Sequence, residues 1–244
     1  MSDSPKFSHE TVERKVSWLG IWIVIVIAVG GLVEIVPLYA SSEITTPAPG
    51  VKPYPALALE GRDIYIREGC YNCHSQMIRT LRDEVERYGH YSLAAESMYD
   101  RPFQWGSKRT GPDLARVGGK YSDDWHRDHL KAPKSVVPGT VMPAYPWLAQ
   151  TDLDLAHIDD DLRVQATLGV PYTAEMIANA QADAKAQAGA DASADLVKRY
   201  PKAAARDYDG RPERITEADA LIAYLQMLGT LVDFRLYDDK ANMR

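Results

Sequence analysis

Cys70-Tyr71-Asn72-Cys73-His74 decides how this sequence is read, because its two thiols are the only ones in 244 residues and stand three positions apart beside an imidazole. A disulfide scaffold, a four-cysteine zinc site and a plant-type iron–sulfur ligand set are excluded, since each needs more thiolates than the chain has. A thioredoxin-like redox pair would need a βαβ setting, whereas the flanks read as helical with no apolar β-branched strand nearby. A zinc knuckle would need further ligands at metal spacing. The pentad suits a haem instead. Two thiols separated by two residues on a helical turn can form thioethers to the two vinyl groups of one porphyrin, and His74 is then placed under the iron as proximal ligand.

Such an iron needs a sixth ligand or an open site, and the methionines to consider are Met77, Met98, Met142, Met176 and Met227. Met77 follows His74 too closely to reach the opposite face. Met176 and Met227 fall in helical segments, where methionine usually packs. Met142 stands in Val137-Pro138-Gly139-Thr140-Val141-Met142-Pro143, a loop stiffened by prolines that can hold a thioether toward iron. Met142 is therefore the expected distal ligand, with Met98, a histidine or an open site as alternatives. A soft thioether opposite imidazole raises the potential, which suits electron transfer.

Upstream, residues 56–69 read as a helix with Leu57, Gly61, Ile64 and Glu68 along one face and Tyr65 beside them. Residues 40–55 read as a linker, broken by Pro47, Pro49, Pro53, Pro55 and Gly50. Before it, Trp18 to Tyr39 is apolar except for Glu34; at about 1.5 Å per residue it spans roughly 33 Å, the thickness of a bilayer core. A cleaved signal peptide is the competing reading, but the run is long for one and Leu38-Tyr39-Ala40 is a poor cleavage site. Lys6, Arg14 and Lys15 precede this helix and the first basic residue after it is Lys52, so residues 1–17 are expected in the cytoplasm and the rest outside. Glu34, near the far interface, either snorkels to the headgroups or turns toward a partner protein.

Downstream, residues 75–131 are rich in Arg and aromatics, a mixture common in interfaces. Residues 151–219 hold 14 acidic against 8 basic side chains and an alanine-heavy run, which reads as exposed helix or a solvated insertion over 151–215. Thr216 to Gly229 is a well-signalled helix, with Thr216 as N-cap, Asp219 three residues on, Leu221, Ile222, Leu225 and Leu228 on one face, and Gly229 as stop. A net charge of −6 leaves no basic footprint for nucleic acid. Smaller expectations concern His126 and His129, read as surface or interface residues rather than a metal pair; His90, read as an interface residue; and Trp105, Arg109 and Lys120, each able to reach a haem propionate or simply to lie on the surface.

The pentad, Gly111-Pro112-Asp113-Leu114, the Met142-Pro143 loop and a final amphipathic helix, in that order, resemble a class I cytochrome c. That resemblance implies a mainly α fold, a Pro112 carbonyl accepting the other ring N–H of His74, and a crossing between the helix of Gly61 and Tyr65 and the helix of Leu221, Tyr224 and Leu225. More narrowly, Gly69 to Arg79, Arg87-Tyr88-Gly89-His90-Tyr91-Ser92, Pro102 to Leu114 and Met142-Pro143-Ala144-Tyr145-Pro146-Trp147 resemble the monohaem subunit II of cbb3-type cytochrome c oxidases. Thr80-Leu81 departs from the Pro-Phe pair expected there. The resemblance covers the anchor and most of residues 56–150.

It implies a single transmembrane helix over 18–39 and a cytochrome c domain over 56–244, on the periplasmic side of a bacterial inner membrane. It implies one covalently attached haem c, a catalytic haem–copper oxidase subunit as partner, another c-type cytochrome subunit as donor, and relay of electrons to haem b for O2 reduction. On that reading the chain is not an enzyme by itself. Two alternatives differ in kind: a free membrane-anchored cytochrome c shuttle, and an enzyme or sensor whose iron binds a small molecule. The 36 residues between His74 and Gly111 favour a permanent interface over a shuttle, and Met142 as sixth ligand would close the iron to substrates.

Overall fold

The computed structural model describes residues 9–40, 50–106, 108–189 and 194–234, and the chain divides into two compact units, Met1–Thr46 and Pro47–Arg244. In the first unit, α1 (His9–Glu13) precedes α2 (Val16–Ala40). Val16–Leu38 is long and apolar enough to cross a membrane, and its large side chains, from Trp18 through Leu38, are exposed. A helix that is apolar all round needs an apolar surrounding, and its internally paired backbone lets lipid supply it.

The second unit is built from α3 (Ala56–Arg67), α4 (Arg82–Tyr88), α5 (Asp123–Lys131), α6 (Pro133–Val136), α7 (Ile158–Thr167), α8 (Ala174–Ala178), α9 (Ala180–Ala188), α10 (Ala194–Arg199) and α11 (Glu217–Met227). No strand occurs among the described residues, only an isolated bridge between Asp152 and Thr216. The mainly α class expected from the sequence is what the chain adopts.

The core centres on the crossing of α3 and α11, the pair of helices that the cytochrome resemblance brings together. Gly61 makes it close: a Cβ there would lie 1.8 Å from the Ala220 carbonyl oxygen, so only the bare backbone lets the helices touch. Around that contact Tyr65 and Tyr54 pack on Tyr224 with ring centroids 5.5 and 5.6 Å away. Arg67 clamps Glu217 through two hydrogen bonds of 2.8 and 2.6 Å, tying the end of α3 to the start of α11. The start of α11 has the expected cap: the Asp219 N–H donates to Thr216 Oγ1 and the Thr216 N–H donates to Asp219 Oδ2 at 2.8 Å. Gly229, at φ +78°, turns the chain away beyond its end.

Two expectations are corrected by this packing. The described part of residues 151–215 is helical, as one of the two readings had it, but it is neither simply exposed nor solvated: Leu162, Ala180, Ala184, Leu196, Tyr200 and Tyr208 are all buried in the same core as α3 and α11. Small alanine side chains let α9 lie close against α3. The one acidic side chain buried on α9 is paired: Asp183 accepts two hydrogen bonds from Arg199 of α10. The expected linker also ends early. Val51 and Tyr54 are buried, and Tyr172 Oη donates to the Tyr54 carbonyl at 2.8 Å, so this stretch belongs to the folded unit. Residues 41–49 lie outside the described residues. A buried arginine was not foreseen either: Arg62 on α3 sits with Nε 3.5 Å from Asp100 Oδ1 and donates to the Pro102 carbonyl.

Candidate functional site

Beyond α3, Gly69 takes a left-handed conformation at φ +71° that a side chain would resist, and starts the 3-10 turn Cys70–Asn72. The Cys73 and His74 N–H groups both donate to the Cys70 carbonyl, at 3.1 and 2.9 Å, which coils the pentad tightly. That coil turns Cys70, Cys73 and His74 into one open cleft of about 290 Å³. Neither thiol is in a disulfide. Burial first, then the neighbouring Glu68 charge, pushes the Cys70 thiol up to about 12. A redox nucleophile needs the opposite shift, so the thioredoxin-like reading loses its chemical basis.

His74 is held from behind. Its Nδ1–H donates to the Pro112 carbonyl at 2.7 Å, which leaves the Nε2 lone pair free for a metal. The approach depends on Gly111, where a Cβ would come within 2.3 Å of the His74 ring. Two backbone bonds join the segments on either side, Gly111 N–H to the Cys73 carbonyl at 2.9 Å and Leu114 N–H to the Ser75 carbonyl at 2.8 Å.

A buried polar network backs this arrangement. Asp113 Oδ2 accepts from Ser75 Oγ at 2.5 Å and from the Met77 N–H at 2.9 Å. Arg109 donates to Ser75 Oγ at 2.6 Å, to the Met77 carbonyl at 2.8 Å and to Glu84 Oε2 at 2.8 Å. The hydrogen bond from Arg109, with help from Arg79, holds the Glu84 carboxyl down at about 2 against the cost of burial. Arg109 is thus committed to this network and does not line the cleft, against the propionate alternative weighed for it. Trp105 does not line the cleft either; it is half exposed and stacks on Phe103 with ring centroids 5.1 Å apart. Lys120 does line it.

Met142 and Pro143 line the cleft on the loop that follows α6. Thr140 shapes that loop by accepting the Met142 N–H at Oγ1, 3.1 Å, and the Tyr145 N–H donates to the Leu130 carbonyl of α5 at 2.8 Å. The other methionines weighed from the sequence are elsewhere. Met98 packs on a small separate cluster with Leu93 and Val232, Met176 and Met227 pack in the main core, and none of these, nor Met77, lines the cleft.

The remaining wall comes from α5, whose Trp125, His126, His129 and Leu130 face the cleft. Ser122 caps this helix, accepting the Trp125 N–H at 3.2 Å. Trp125 stacks between Tyr121 and His129 at 4.0 and 4.5 Å. His126 is buried, and burial lowers its imidazole to about 4; His129 is shifted down by burial and by His74. His126 is thus not the surface residue expected, and His129, half-buried, lies on the cleft wall. A signal was present in the sequence, since His126 stands four residues before the buried Leu130 and therefore shares its face.

An apolar-walled cleft bearing two free thiols, an imidazole with one nitrogen pre-occupied and a thioether fits a haem on its own chemistry. Residues 9–232 match the family model described as "Cytochrome C oxidase, mono-heme subunit/FixO", and the chain belongs to this family. No curated protein sequence matches the chain. The chain is accordingly a monohaem subunit of a cytochrome c oxidase.

Proposed function

We propose that this subunit carries its haem covalently on Cys70 and Cys73, with His74 and Met142 as the two axial ligands, and relays single electrons from another c-type haem to haem b of a catalytic haem–copper subunit. The observation that carries this reading is the gathering of both thiols, His74 and Met142 on one cleft, with His74 Nδ1 already bonded to Pro112.

The bound haem supplies a one-electron couple. The chain's own residues set its terms. Pro112 holds the Nδ1 proton and Gly111 leaves room for the ring, so His74 keeps one tautomer and one orientation. Met142, a soft ligand on a loop tied to α5, favours the reduced state and raises the potential. Apolar lining such as Leu114, Val117 and Leu225 keeps water from the reacting centre. The chain has no second cofactor motif, and one helix with a single carboxylate cannot build a proton path, so oxygen reduction and any pumping belong to the partner. Lys6, Arg14 and Lys15 ahead of α2 support a cytoplasmic N-terminus and a periplasmic haem domain.

Detergent extraction of tagged protein, followed by co-purification and haem staining on a denaturing gel, tests both halves. The expected result is stained chain travelling with a b-type oxidase, and loss of normal double attachment in Cys70→Ala and Cys73→Ala. Full staining with an unshifted pyridine haemochrome in both variants would refute covalent attachment. A stained chain that travels alone would favour the free shuttle.

A further inference from the structure

On α5, His126 Nε2 and His129 Nδ1 are both buried and have no hydrogen-bond partner, and both side chains line the cleft. Buried polar atoms without partners are uncommon and cost about 1–3 kcal/mol each, so two on one turn of one helix call for a missing partner.

A haem brings two ionised carboxylates into the cleft, and these need donors or counter-charge. The cationic supply is thin. Arg116 lines the cleft, but its guanidinium already serves Glu96 at 3.0 Å and the Ala115 and Tyr91 carbonyls. Lys120 lies over the Tyr121 ring at 5.7 Å. Arg109 is spent on Glu84 and Ser75. Lys120, exposed at the rim, remains available as counter-charge, and the buried donors without a partner on the α5 wall are the two imidazole nitrogens; a hydrogen bond to a carboxylate is about twice as strong as a neutral one.

We propose that His126, through Nε2–H, and His129, through Nδ1–H, are positioning residues that hydrogen-bond the haem propionates and thereby help set the haem potential. This rests on the haem assignment above. Removing a donor leaves the propionate charge less compensated, which favours ferric over ferrous iron and lowers the midpoint potential.

The test uses the full chain in the purified oxidase. His126→Leu and His129→Leu remove the donors, while His126→Gln and His129→Asn place an amide N–H near the lost nitrogen and guard against a merely structural effect. The expected result is a lowered c-haem midpoint potential and shifted propionate bending modes in resonance Raman for the leucine variants, with both restored toward the parent in the amide variants. Haem staining and the near-infrared thioether-to-iron band stay unchanged throughout. An unchanged potential and Raman spectrum in both leucine variants would overturn the inference, as would loss of the near-infrared band, which would make a histidine act on the axial ligand. Absence of covalent haem from the unsubstituted chain would overturn the haem assignment and this inference with it.

Discussion

On the proposed function Met142 would supply the thioether that raises the potential, and among the described residues no other methionine lines the cleft. Met142→Ala is expected to abolish the near-infrared thioether-to-iron band of the ferric protein and to lower the midpoint potential, while Met98→Ala and Met176→Ala leave both in place. Redox titration with near-infrared spectra checks this, and an unchanged Met142 variant would move the ligand elsewhere. At the same scale Glu84 gives a pH dependence. Its carboxyl titrates near 4.5 when free and at about 2 when folded, so between these values the unfolded chain binds the proton more tightly and stability falls as pH falls. The stabilising term is fully present above 4.5 and is lost as pH drops through about 2. Glu84→Gln is expected to lower Tm at neutral pH, because Arg79 and Arg109 lose their partner, and to show a flatter loss of Tm on acidification. Parallel melting curves for parent and variant from pH 6 downward decide it.

At Gly61 the backbones of helix α3 and helix α11 meet with no side chain between them, and this contact sets the wall of the cleft that Leu221 and Leu225 supply. Gly61→Ala pits two effects against each other. Helix propensity favours alanine by about 1 kcal/mol, whereas overpacking costs about 1–3 kcal/mol, and here the obstacle is the Ala220 backbone, which no rotamer change can move. A net loss is expected, seen as a lower Tm by calorimetry, whereas Gly139→Ala, where an added methyl meets open space, should stay within about 0.5 kcal/mol of the parent. A Gly61→Ala protein as stable as the parent would mean that the helices can separate freely. Both helices were legible from residue spacing, because Thr216, Asp219 and Gly229 are local stop and start signals and the apolar positions recur at the helical period. Helix α5 was only half legible: the four-residue spacing puts His126 and Leu130 on one face, but that this face is covered depends on the loop carrying Met142, a contact outside any local pattern.

For the molecule as a whole, the Arg and aromatic block that reads as one interface divides into two parts with different work. Arg79 and Arg109 hold Glu84 behind the pentad, while Phe103 and Trp105 stack in the open, 43% and 50% exposed, with Arg101 5.3 Å over the Phe103 ring. An exposed aromatic pair beside a guanidinium is the kind of surface that anchors a protein partner. Trp105→Ala is expected to weaken assembly with the oxidase by about 2 kcal/mol, roughly 30-fold in affinity, and to leave haem staining intact. Arg109→Ala should do the reverse, disturbing the haem pocket first. Co-purification yield against haem stain separates them; a Trp105 variant with normal assembly and damaged haem would place that ring in the cytochrome core.

The sequence by itself determined the local elements and the residue types on which the proposed chemistry rests: a Cys-x-x-Cys-His spacing that would suit two vinyl groups, a methionine on a proline-stiffened loop, a capped final helix and an apolar run of membrane length. Each is written within a few consecutive residues, where covalent spacing and helical period act directly. Tertiary structure alone decided that His126 and His129 face the cleft, that Arg109 turns away from it, and that the alanine-rich acidic segment is core. Those outcomes depend on which surfaces cover one another across tens to more than a hundred residues, as when Asp183 pairs with Arg199 or Tyr172 reaches Tyr54. Charge and alanine content describe a segment's composition, and burial is settled by the partner that packs against it.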